Sequence, residues 1–210
     1  MVAAVSIATP AFLIFMAIGM IFGVGGTSCI SRMLGEGKNE KAQNASAFCF
    51  WTGLGVGIVG MLFVWLMINP ICKLIGTSAD TVEYTKQYLL IVSLSIPFVI
   101  VGNSFSNIIR SEGKANIAMT GMILGNITNI VLDPIMILGF DWDVIGAAVA
   151  TVIGNIVAFV FYLIHLMSKR TILSIRPRDY KAGEKIATGI LAIGIPASIN
   201  NILMSTSNIV

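Results

Sequence analysis

The chain has 210 residues, of which 56% are hydrophobic and 11% are charged, and its mean hydropathy is +0.91. A soluble domain carries about 25% charged residues, so this composition excludes an ordinary water-soluble fold and predicts an integral membrane protein. The formal charge of +3 is too small to point to nucleic acid, and where the charges fall matters more than their sum.

Uncharged runs mark the elements in chain order: residues 1–31, 42–72, 87–109, 115–132, 144–164 and 186–210, here spans A to F. Each meets the roughly 18–20 residues that cross a bilayer core of about 30 Å. Lipid leaves backbone polar groups no partner outside a helix or a closed barrel. Ten-residue units of alternating polarity are absent, which argues against a barrel. The expected fold class is therefore all-α integral membrane, a multi-span helical bundle of about five complete spans plus part of a sixth.

Span A carries no charge before Arg32, so it lacks the basic start of a secretory signal and reads as a membrane span. Its "GVGGTS" lies inside an apolar helix rather than after a strand, so it is no dinucleotide fingerprint. The "GEGK" that follows at 35–38 is no phosphate loop, because Arg32 stands where the first glycine would be required. Gly19/Gly23 in span A, Gly53/Gly57 in span B and Gly121/Gly125 in span D are small-residue pairs that let helices approach closely. Cys29, Cys49 and Cys72 fit no metal spacing and read as small apolar residues. Pro10, Pro97, Pro134 and Pro196 each remove a backbone donor and mark bends. Bent or broken helices are where transporters place their sites.

The loops set the orientation. Arg32, Lys38 and Lys41 lie between A and B, Lys73 and Lys86 between B and C, and Arg110 and Lys114 between C and D. The D–E loop "FDWDV" has no base, and the E–F loop has Lys169, Arg170, Arg176, Arg178, Lys181 and Lys185. Alternate loops thus carry eleven basic residues against two. The positive-inside rule puts the larger set, the E–F loop included, in the cytoplasm and Met1 outside. A start outside and an end without flanking charge suggest that a helix is missing before span A and more after span F. The E–F segment "SKRTILSIRPRDYKAGEK" reads as an interfacial connector held against anionic lipid, and would also suit a hinge between two bundles.

Enzyme chemistry is hard to build. His165, the one histidine, falls at the cytoplasmic end of span E, and no Ser/His/Asp or Cys/His set can be assembled around it. One acid is different. In "GNITNIVLDPIMILGF" (125–140) Asp133 lies within an apolar run, with Asn129 one turn away on the same face. An intramembrane carboxylate costs several kcal/mol unless it is paired, hydrated or protonated. No Lys or Arg stands near its level in spans D or E, so a small cation or a proton is the expected partner. Pro134 leaves the carbonyl of Ile130 without its usual donor, and Thr151 of the small-residue segment "GAAVATVIGN" can supply a hydroxyl. Such oxygens suit a hard cation like sodium. The alternative is structural: Asp before Pro is a common helix start, with Asp133 as its N-cap.

Three segments, "GVGGTSCISRMLGEGKNEKA" (23–42), "SIPFVIVGNSFSNIIRSEGKANIAM" (95–119) and "GNITNIVLDPIMILGFDWDVIGAAVAT" (125–151), resemble the multidrug and toxic compound extrusion (MATE) transporters, particularly their DinF-like and NorM-like members. "GIPASINNILMSTSNIV" (194–210) resembles the start of that family's second lobe. The resemblance implies two pseudo-symmetric bundles of six helices. Residues 1–168 would then be helices two to six of the first lobe, 169–187 the basic cytoplasmic inter-lobe connector, and 188–210 the start of the second lobe. It also implies a cation site, of which Asn129, Asp133 and Thr151 are present and an aspartate on the first helix has no counterpart. The implied activity is a cation-coupled antiporter in the cytoplasmic membrane that exports drugs or organic cations. It uses no cofactor beyond the coupling ion, Na+ or H+, and its partners are the lipid bilayer, organic cations and the remainder of the transporter. Rival readings are a lipid-linked saccharide flippase of similar architecture, a non-transporting scaffold and a non-functional remnant.

Overall fold

The computed structural model of the protein describes residues 2–74, 82–139, 143–168, 171–180 and 184–207. Span A is one helix, α1 (Val2–Gly35). It ends where Gly37 turns left-handed at φ +71°, and the N–H groups of Gly37 and Lys38 donate back to the carbonyls of Leu34 and Met33 at 3.0 and 2.9 Å. That pairing satisfies carbonyls the helix leaves open, and a glycine takes the conformation without strain. The "GEGK" stretch is therefore a helix-ending turn. Span B divides into α2 (Asn39–Leu66) and a short α3 (Ile68–Leu74).

Span C is bent rather than straight. Helices α4 (Val82–Ser93) and α5 (Ile96–Ser111) meet at 50°. Pro97, the second residue of α5, has no N–H to continue the ladder from α4. Ser95 bridges the break, its hydroxyl donating to Val92 O at 2.7 Å and its carbonyl accepting from Val99 N–H at 2.8 Å. Span D is α6 (Ala115–Pro134), which passes into a π-turn at Ile135–Gly139. Spans E and F are α7 (Asp143–Met167) and α8 (Glu184–Ser207).

Among the described residues four helices are long and apolar enough to cross a membrane, and the bent α4–α5 pair makes a fifth. The expected all-α bundle is borne out. Its centre is α5, whose Ile100, Phe105, Ile108 and Ile109 are fully buried. Phe105 meets Phe50 of α2 edge-on at 5.9 Å, α1 lies along α5 with α8 against it, and α6 pairs with α7.

Lipid tails are as apolar as leucine, so close packing rather than exclusion from water must hold these helices together. Glycines supply that closeness. A Cβ on Gly19 would stand 3.1 Å from the carbonyl of Ile100, and one on Gly57 would stand 2.5 Å from Cα of Pro97. Gly125 and Gly154 abut, a Cβ on the second falling 2.8 Å from the carbonyl of the first. The outer faces are apolar too: Leu62, Phe63 and Leu66 of α2, Ile123, Ile127 and Ile130 of α6, and Ile164 of α7 are exposed. On a soluble protein so much exposed apolar surface would be a liability; here it is the lipid contact.

The E–F segment is a strap. Residues 171–180 run extended to a single 3-10 turn at Pro177–Asp179, lying against α2 and the α5–α6 turn. Lys169, Arg170 and Lys181 lie outside the described residues, as do the end of span F at 208–210 and most of the "FDWDV" loop.

Candidate functional site

The Gly125–Gly154 contact brings the backbones of α6 and α7 together, and the polar side chains flanking it meet. Asn129 of α6 donates from Nδ2 to Thr151 Oγ1 of α7 at 3.4 Å, and that hydroxyl donates to Ala147 O at 2.9 Å. Asn155, one turn further along α7, donates to Thr151 O at 2.9 Å. With its nitrogen committed to Thr151, the Asn129 amide keeps its oxygen as an acceptor.

Asp133 stands one turn beyond Asn129 on α6. Its Oδ1 is buried and has no hydrogen-bond partner among the described residues. It is the penultimate residue of a continuous helix, and the chain after it stays helical, with Ile135 at φ −67°, ψ −44°. Asp133 is therefore not at a helix start and caps none. Pro134 lies inside the helix immediately before the π-turn, a distortion frequent at functional sites. The turn is wedged on α7, since a Cβ on Gly146 would stand 2.9 Å from the carbonyl of Met136. Pro97 sits at the α4–α5 bend and Pro196 within α8. Helix α1 runs through Pro10, where only the backbone is described.

A cavity of about 300 Å³ opens between α1, α5, α6 and α7. Asn103, Ser106, Asn126, Asn129, Thr151 and Asn155 give it a polar lining, Phe98 and Tyr162 an aromatic one, and among the described residues no charged side chain lines it. Asp133 is not part of the lining, so the acid and the cavity are neighbours along α6 that share Asn129. Asn103, Ser106, Asn126, Asn155 and Tyr162 escaped the sequence reading. A usable signal was polar residues four apart in apolar helices: Asn103 and Asn107 are linked that way, Asn107 Nδ2 donating to Asn103 O at 2.9 Å. His165 ends α7 half-buried, its Nε2 buried and unpartnered. The three cysteines form no disulfide among the described residues, and Cys49 and Cys72 are buried.

The family model described as MatE matches residues 1–135, more than half of the chain. The chain belongs to the MatE family. It is 35% identical over its whole length to the multidrug export protein MepA of Staphylococcus saprophyticus and to that of Staphylococcus aureus, covering 47% of each. The MatE chain thus spans about half the length of the curated relatives it matches. Among solved structures it is similar to MATE in complex with MaD3S (TM-score 0.92, 32% identity, 99% of this chain and 47% of that one). It is also similar to a multidrug resistance MATE family transporter of the MOP superfamily in an inward-facing conformation (TM-score 0.91, 31% identity, 97% and 47%). A third is a MOP superfamily transporter from Pyrococcus furiosus whose binding pocket is described as having reversed polarity (TM-score 0.89, 32% identity, 99% and 46%). Family, helices and apolar outer faces together make this a multi-pass membrane protein.

Proposed function

We propose that this MatE chain is first-lobe sequence of a cation-coupled antiporter that exports organic cations across the cytoplasmic membrane. The observation that carries the reading is the buried, unpartnered Oδ1 of Asp133 one turn from the Asn129–Thr151 pair. An isolated carboxylate at that depth is costly. A bound sodium ion or a proton removes the cost, and the Asn129 oxygen and the Ile130 carbonyl, to which Pro134 cannot donate, supply further oxygens of the kind a hard cation takes.

Neutralising Asp133 acts on the short stretch where α6 becomes a π-turn against α7. A cation that binds one packing of that stretch better than another shifts a pre-existing equilibrium by its difference in affinity. The cavity suits the cargo: amides, hydroxyls and aromatic faces accept an organic cation, and no lysine or arginine repels it. A lipid-linked phosphate would call for basic groups that this lining lacks. The positive-inside rule places the strap and the two Glu-Gly-Lys turns on the cytoplasmic side.

The test is efflux of a fluorescent organic cation from everted vesicles by the protein at its natural length, with sodium and proton gradients imposed separately. Asp133→Asn is expected to abolish gradient-driven efflux while the protein still reaches the membrane folded, and the gradient that drives the parent names the ion. Full efflux by a folded Asp133→Asn protein sinks the reading.

A further inference from the structure

The sequence contains the same tripeptide at two helix–helix turns: Glu36-Gly37-Lys38 between α1 and α2, and Glu112-Gly113-Lys114 between α5 and α6. The turns are built alike. Gly37 and Gly113 have φ of +71° and +76°. Lys38 Nζ pairs with Glu36 at 2.6 Å and Lys114 Nζ with Glu112 at 2.7 Å. The two glutamates nevertheless differ, for the side chain of Glu36 is 40% exposed and that of Glu112 only 2%.

What covers Glu112 is the strap. Thr171 Oγ1 donates to both carboxylate oxygens, at 2.8 and 2.9 Å, and the backbone N–H groups of Ile172 and Leu173 donate to Oε1 at 2.6 and 3.1 Å. With Lys114 on Oε2, the carboxylate gathers four donor groups, three of them about sixty residues away in sequence. Charge-assisted bonds of this kind are roughly twice as strong as neutral ones. Beyond the clasp, Leu173 is buried in the core, Trp51 Nε1 donates to Ile175 O at 3.1 Å, and Tyr180 stacks on Phe48 with ring centres 6.0 Å apart. The strap then leads to α8, which packs on α1: Gly25 abuts the carbonyl of Ile190 and Gly194 that of Ile21.

We propose that Glu112 is the keeper of a latch, a positioning residue that clasps the strap to the α5–α6 turn. Residues 171–175 are then a built part of the first bundle. Over these residues the strap is neither a lipid-held tether nor a hinge. Arg176 and Arg178 fit this, since they are exposed while the backbone of 172–173 is turned inward to a carboxylate. Glu36, in the same turn without a strap over it, is the built-in control.

The experiment is hydrogen exchange, read by mass spectrometry on peptides spanning 170–176, in nanodiscs holding the protein at its natural length. Parent and Glu36→Gln are expected to show the Ile172 and Leu173 amides protected. Glu112→Ala should speed their exchange by about tenfold or more, the scale set by losing roughly 1.4 kcal/mol of local protection. Thr171→Val, which removes one donor and leaves the carboxylate in place, should give a smaller rise in the same peptides and is the variant to read if Glu112→Ala does not fold. Unprotected amides in the parent overturn the latch outright; protection that neither variant lowers overturns it too and assigns the docking to Trp51 and Leu173. The readout is exchange, so it stands or falls separately from transport.

Discussion

Glu112 is held below its usual value of 4.5, although burial alone would raise it. Hydrogen bonds from Lys114, Thr171 and the Ile172 N–H, with the Lys114 charge, outweigh burial. A carboxyl lowered on folding stabilises the folded state above its unfolded value, and the contribution fades as pH falls through the folded value. The melting temperature of Glu112→Gln is therefore expected to lie below the parent's at pH 7. The gap should close as the pH falls below the usual 4.5 and through the lowered folded value. A pH-independent gap, in paired thermal melts in detergent, would mean that the carboxylate's charge is irrelevant to the clasp. At this scale the sequence was partly legible. Asp133 stood out because an acid is rare in an apolar helix, and Asn129 and Thr151, picked out as its neighbours, are hydrogen-bonded to each other. Glu112 did not stand out, because it looks like any charged residue at a span end; the three donors of the strap lie about sixty residues away, and sequence spacing carries no trace of them.

The helices were legible from uncharged runs, since desolvating charge is the dominant cost in lipid. Their facing was not. In water an apolar stripe marks the core side of a helix, but here α2 and α6 are apolar on both sides and the pattern says little about what touches what. Small residues carry that information instead. Gly121 of α6 lies directly against the Tyr162 ring of α7, whose hydroxyl donates to Ala118 O at 2.8 Å. Gly55 of α2 has nothing within 4 Å of where its Cβ would be. Gly121→Val should force the helices apart and cost about 1–3 kcal/mol, as overpacking does. Gly55→Ala should be neutral or gain up to about 1 kcal/mol from helix propensity. Equal stability of the two variants in a thermal unfolding assay would refute the packing of α6 on α7 described above. The bend between α4 and α5 was signalled by Pro97, whereas its seat against Gly57 came only from the fold.

Across the whole molecule the acid and the cavity are separate features joined through Asn129, so the antiporter proposed above should fail in two distinguishable ways. Gly102 lines the cavity, and a Cβ placed on it meets nothing within 4 Å. The first carbon of a Gly102→Phe side chain therefore meets no neighbour, and the ring beyond it is expected to take up cavity volume. In the natural-length protein it should weaken binding of a fluorescent organic cation by about tenfold or more, as filling a pocket does, and leave the response to the imposed gradient intact for whatever cargo still binds. Asp133→Asn should do the reverse, with cargo binding near the parent's in the absence of a gradient and gradient-driven efflux gone. Binding measured by fluorescence titration and efflux measured in vesicles separate the two outcomes. If Gly102→Phe instead binds cargo as the parent does, this cavity is not the cargo site. If Asp133→Asn loses cargo binding as well, acid and cavity form one site in which cation and cargo compete for the same oxygens, and exchange would follow from that competition without any change in the packing of α6.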